Sequence, residues 1–113
     1  MSTAELRARA SLREGLELAV AAPRRFAEIF HHGELVVEFY APQGKDPQTP
    51  HTRDELYLIA RGSGVFRRNG RREAFAAGDF LFVPAGMEHG FEDFTDDFAT
   101  WVIFYGPEGG TRA

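Results

Sequence analysis

The sequence predicts an all-β domain, a sandwich or barrel of eight short strands preceded by one short helix, and three observations carry that prediction. From Pro23 onward, runs of β-branched and aromatic residues alternate with Gly, Pro, Asn and Asp, which is the punctuation of short strands and tight turns. Asn69-Gly70 joins two residues that tolerate positive φ, as a two-residue hairpin demands. Phe80-Leu81-Phe82-Val83 and Trp101-Val102-Ile103-Phe104 are apolar at every position, the pattern of strands covered on both faces. One face then fills the interior, and the other meets a helix, a second sheet or another subunit.

Before Pro23, Ser2 followed three residues later by Glu5 has the form of a capping box, and Leu6, Ala10, Leu12 and Leu16 recur at near-helical spacing. A short helix is expected there. Gly15 weakens its middle and Pro23 stops it, so Leu16 to Ala22 also reads as an extended run. Strands are expected at Phe26 to Phe30, Leu35 to Tyr40, Glu55 to Ala60, Val65 to Arg68, Arg72 to Phe75, Phe80 to Val83, His89 to Asp93 and Ala99 to Phe104. Pro42 to Pro50 is a loop rich in Pro, Gly, Gln and Asp. The expected division is an N-terminal helical or extended segment over 1–22, a β domain over 23–106 and a loose tail over 107–113.

At 113 residues the chain is one domain that buries roughly two-thirds of the surface its unfolded form exposes. It has no cysteine, which removes disulfides, thiolate ligands and cysteine nucleophiles and leaves nitrogen and oxygen donors for any metal. A net charge of −4 gives no field that favours nucleic acid or anionic lipid, so neither is an expected partner. Charges spaced through the first twenty residues interrupt any signal-peptide core, and no later run is apolar enough to cross a bilayer. A cytoplasmic location is expected.

His51, Glu55 and His89 are the candidate metal ligands, because two imidazoles and a carboxylate suit a divalent ion. On a straight strand His51 and Glu55 would stand roughly 13 Å apart, so the chain has to turn between them. Thr52, Arg53 and Asp54 suit that turn, which would leave His51 ending one strand and Glu55 starting its neighbour. Pro84-Ala85-Gly86 breaks the preceding strand and sends His89 back towards the same interior. Tyr57, two residues beyond Glu55 and so on the same strand face, is the candidate polar contact in the pocket.

These segments resemble the two motifs of the cupin superfamily. His51, Glu55 and Gly62 match the second His, the Glu and the Gly of its first motif, while Gly78, Pro84, Gly86 and His89 match its second. The family's first His falls at Thr49 and its final Asn at Asp93. Gln48 stands beside the lost histidine and, on a regular strand, points to the other face. The resemblance implies a jelly-roll β-barrel of two antiparallel sheets, a homodimer, and a divalent metal (Fe, Zn, Mn or Ni) held by His51, Glu55 and His89 with open positions for water or substrate.

Other features have plainer readings. His31 and His32 precede Gly33 at a hairpin tip, and Gly62-Ser63-Gly64 is a turn or bulge because no helix follows it. Arg61, Arg67, Arg68, Arg71 and Arg72 form a solvated basic edge, and Glu92, Asp93, Asp96 and Asp97 a solvated acidic loop. Phe91, Phe94, Phe98 and Trp101 belong to the core or an interface. The function expected is a small metal-binding cupin acting as an oxygenase, isomerase or lyase on a small organic molecule. The alternatives are a non-catalytic or sensory cupin that binds a small molecule, and a structural partner with a vestigial pocket.

Overall fold

The computed structural model describes residues 7–47 and 49–111. One helix, α1 (Leu12–Ala21), precedes eight strands: β1 (Phe26–His32), β2 (Leu35–Tyr40), β3 (Asp54–Arg61), β4 (Ser63–Arg68), β5 (Arg71–Ala76), β6 (Phe80–Val83), β7 (His89–Glu92) and β8 (Ala99–Tyr105). They form a five-stranded sheet in the order β1-β2-β8-β3-β6 and a three-stranded sheet in the order β5-β4-β7. All the pairings are antiparallel. This is the expected all-β jelly roll of two sheets with one short helix, and every expected strand is present.

The helix starts later than expected. The Ser2 to Glu5 box lies outside the described residues, and residues 7–11 are not helical. A second Ser-x-x-Glu caps the helix instead: Glu14 N–H donates to Ser11 Oγ at 3.1 Å and Ser11 N–H to Glu14 Oε1 at 3.2 Å. The Leu16 to Ala22 stretch, open between helix and extended chain, is helical as far as Ala21, and Ala22 is extended. Gly15 is where α1 rests on β2, since a Cβ there would come within 2.6 Å of the Phe39 ring. Ala19 packs with Ile29, Phe39 and Ala99 beneath the helix.

The pairing of β3 also differs from expectation. Glu55 does not begin the partner of a strand that ends at His51, because β8 lies between β2 and β3 and the described residues of 41–53 contain no strand. That insertion sets the inner face of the large sheet. Glu55 stands beside Phe104 and then Val36, and Tyr57 beside Val102 and then Glu38. Gly62 carries the chain from one sheet to the other at φ +83, where a Cβ would meet Thr95 Oγ1 at 2.5 Å and Phe98 Cα at 2.7 Å. Asn69 and Gly70, at φ 51 and 82, make the expected hairpin turn.

Two further expectations are corrected. The stretch read as a loose tail is tied down as far as Thr111: Gly109 N–H donates to Thr52 O at 2.7 Å and Thr111 N–H to Asp54 Oδ2 at 2.9 Å. The basic edge and the acidic loop are not wholly separate, because two arginines of the one pair with two acids of the other. Arg67 reaches Glu88 and Glu92, and Arg72 reaches Glu92 and Asp93. No helix among the described residues is long and apolar enough to cross a membrane.

Candidate metal centre

His51, Glu55 and His89 come together. Each offers one donor atom, and all three atoms lie within 4.8 Å of one another. Glu55 comes from the inner face of β3, between Phe104 of β8 and Val83 of β6, and is fully buried. His89 opens β7 and is 2% exposed. His51 arrives from the loop before β3 rather than from a strand, with its ring edge-on to Phe104 at 5.1 Å.

Backbone hydrogen bonds staple the two ligand-bearing segments. Gly86 N–H donates to His51 O at 2.7 Å, and Ala85 N–H donates to Asp54 Oδ1 at 2.9 Å. The other Asp54 oxygen accepts from Thr111, so one buried carboxylate ties the His51 loop, the Pro84-Ala85-Gly86 turn and the C-terminal segment together. The Thr111 and Ala85 N–H groups hold the Asp54 carboxyl below its usual range. Sequence reasoning took Asp54 only as a turn residue.

His89 Nδ1 lies 3.0 Å from the Met87 carbonyl, which can only accept, so Nδ1 carries a proton and Nε2 turns inward. Nε2 is 3.0 Å from Glu55 Oε1 and 3.0 Å from the Tyr57 hydroxyl, and His51 Nε2 is 3.7 Å from the same Glu55 oxygen. Burial pulls the His89 pKa down, but the Glu55 carboxylate and the Met87 carbonyl outweigh it and leave the imidazole above its ordinary value. Tyr57, the candidate pocket contact, is fully buried with its hydroxyl on His89 Nε2, and it is not among the residues that line the cavity beside His51.

The donor set fits a divalent ion. Donors about 2.0 to 2.2 Å from one ion stand about 3 Å apart, close to the separations found here. Glu55 Oε2 is buried without a hydrogen-bond donor among the described residues, and Oε1 has only the two imidazole nitrogens beside it; a buried carboxylate in that state calls for a cation. A protonated His89 imidazole would supply part of that charge where no metal is bound.

A cavity of about 550 Å³ opens beside His51 along the inner face of β1, β2 and β8. Val36, Val102, Phe104, Phe26 and Tyr40 make its apolar wall, and Glu38 and Arg53 are among its charged groups. Thr49, at the family's first-His position, also lines it, and Gln48 lies outside the described residues. Glu38 escaped sequence reasoning, although it is the one charge in an otherwise apolar strand. His31 and His32 end β1 in solvent, where His31 pairs with Glu28 at 2.7 Å. Phe91 and Phe98 are core residues, while Trp101 packs edge-on to Phe39 outside the barrel.

Comparison with known proteins places the chain in a family. An uncharacterized protein of Streptomyces coelicolor is 33% identical over 63 residues, 56% of this chain and 60% of the relative. The HTH-type transcriptional activator RhaS of Yersinia pestis is 32% identical over 74 residues, 66% of this chain and 27% of its own length. The chain thus spans about 60% of the one relative and about a quarter of the other. Among solved structures, KdgF from a Halomonas species superposes with a TM-score of 0.64 at 16% identity, over 74% of this chain and 78% of that one. The Cupin domain family model matches residues 36–105, which take in β2 through β8 and all three clustered side chains, so the chain belongs to the cupin family.

Proposed function

We propose that this protein is a metal-dependent cupin acting on a small organic molecule in the cavity beside His51, with His51, Glu55 and His89 holding one divalent cation. The observation that carries this reading is a fully buried carboxylate with one oxygen 3.0 and 3.7 Å from two imidazole nitrogens and the other without a hydrogen-bond donor among the described residues. A bound Fe, Zn, Mn or Ni would supply Lewis-acid or water-activating chemistry, or dioxygen chemistry if it is iron, the choices behind lyase, isomerase and oxygenase reactions. The chain's own parts divide the remaining work. Glu55 and His89 fix two donors out of water, His51 stands at the border with the cavity, and the Tyr57 hydroxyl stands 3.0 Å from His89 Nε2, beside the position the ion would take.

Elemental analysis of purified protein against a His51→Ala/His89→Ala double variant tests the reading. About one equivalent of metal is expected in the wild type and a trace in the variant; equal traces in both would remove the premise.

A second reading, a sensory cupin without turnover, is favoured by Thr49 in place of a histidine and by similarity to part of a transcriptional activator. Ligand-induced thermal stabilisation that survives metal removal would select it. Either reading includes a cytoplasmic homodimer, which is supported by the cross-strand neighbours Leu58 and Phe80, 41% and 59% exposed on the outer face of the large sheet. Sedimentation of the purified chain should give twice its monomer mass.

A further inference from the structure

The cavity wall carries opposite charges that the fold itself leaves unmatched. Glu38 stands on the inner face of β2, directly across from Glu28 of β1 on one side and Val102 of β8 on the other. It is half-buried and has no hydrogen bond or ion pair among the described residues. The cavity wall combines the mostly apolar Val36, Val102 and Tyr40 with the exposed charges of Glu28 and Arg24. Like charges directly opposite across two strands are destabilising, and a half-buried carboxylate without a partner adds a desolvation cost. Burial first, then Glu28 and Glu55, push the Glu38 pKa up. Glu28 differs, because it is half-exposed and its carboxylate is taken by His31.

Arg53, immediately beyond the metal-ligand segment, shows the complementary situation. Its Nε–H donates to the Gly106 carbonyl at 3.0 Å, but its Nη2 is buried with no acceptor among the described residues. Arg53 lines the same cavity as Glu38, next to His51 and Phe104. A guanidinium beside the metal centre and an unpartnered carboxylate further along the wall give the cavity a direction.

We propose that the cavity takes a small amino-carboxylate zwitterion, with its ammonium at Glu38 and its carboxylate turned to Arg53 and the metal centre. The inference rests on the metal-dependent reading only for what lies at the carboxylate end. A ligand with one charge leaves either Glu38 or Arg53 unpaired, whereas a zwitterion satisfies both and recovers the cost of burying each. Val36, Val102 and Phe104 suit a short aliphatic chain, and the Tyr40 and Phe26 rings offer π faces to an ammonium. Glu38 and Glu55 lie on one face two strands and two residues apart, about 12 Å between their backbone positions, a span that a short-chain molecule bridges with the two side chains reaching in from its ends.

Calorimetric titration with 4-aminobutyrate, butyrate and butylamine, and with the amino acids one carbon shorter and longer, tests this on metal-loaded and chelator-stripped protein. Metal content is measured on every sample. At least one of the zwitterions should bind about tenfold or more tightly than either singly charged analogue, and Glu38→Gln should remove that advantage while leaving butyrate binding unchanged. Butyrate binding as tightly as every zwitterion, no binding by any probe, or a folded Glu38→Gln protein that keeps the full preference would each overturn the proposal. If the variant does not fold, the wild-type series decides alone. A Glu38-dependent preference in protein that holds no metal would sink the metal reading and leave this one standing, while bound metal without the preference would do the reverse.

Discussion

The two ends of the barrel interior are built from the same kinds of strand but are filled differently. Towards the sheet crossing at Gly62, Phe75, Phe91 and Phe98 interlock with centroids 4.7 to 5.4 Å apart, and Ile59 and Phe66 complete a dry core. Towards the loop that carries His51, the inner face of the large sheet meets a cavity of about 550 Å³ and three clustered metal-ligand types. Tyr57 marks the border, its ring edge-on to Phe91 at 4.9 Å and its hydroxyl on His89. The packed end can hold the strands in register while the open end keeps charges and empty space that would be a liability in a protein built for stability alone.

The largest break in this comparison should come from the packed end. Phe91 is 3% exposed and touches Tyr57, Phe66, Phe75 and Phe98. Phe91→Ala should lower the unfolding free energy by about 3 to 5 kcal/mol in urea titration. His51→Ala, at the half-exposed border of the site, should change the stability of metal-free protein by less than about 1 kcal/mol while abolishing metal uptake. A similar loss from both substitutions would mean that the two ends are one cooperative core.

How far each end was legible in the sequence follows from the range of the signal. The strands were legible because turn chemistry is local: Asn69-Gly70 or Pro84-Ala85-Gly86 needs no knowledge of the partner strand. The His51, Glu55 and His89 set was legible through spacing to nearby glycines and a proline, which constrain the chain over a few residues. Which strands pair was not legible. The insertion of β8 between β2 and β3 joins segments more than forty residues apart, and that long-range step overturned the hairpin reading of His51 and hid Glu38, whose place opposite Val102 exists only in the assembled sheet. The start of α1 was hidden for a different reason, since the Ser-x-x-Glu at Ser11 has the same local form as the one at Ser2 and it is the long-range packing of Gly15 on Phe39 that marks it.

A sharper test inserts the same bulk at both ends. Ile59→Phe enlarges a 4% exposed side chain inside the dry core and should cost about 1 to 3 kcal/mol through overpacking. Val36→Phe points into the cavity from β2, where there is room, and should cost less than about 0.5 kcal/mol while blocking any ligand. Equal costs would show that the cavity closes up in solution.

The smallest effect is the dependence of the open end on protons, and its sign is fixed by His89. In metal-free protein the Glu55 carboxylate and the Met87 carbonyl hold the His89 pKa above its ordinary value. The imidazolium form is therefore bound more tightly in the folded chain than in the unfolded one. The resulting stability is complete below the unfolded pKa, about 6.5, and is lost as pH rises through the folded value. The urea midpoint of stripped wild type should fall over that rise, and that of His89→Gln should stay flatter. Loading with metal should reverse the slope, because protons then compete for His89 Nε2 and stability is lost as pH falls. Phe91→Ala, which leaves the donors in place, should shift both curves downward without changing either slope. A slope that kept its sign on loading would mean that His89 does not give its Nε2 to the metal.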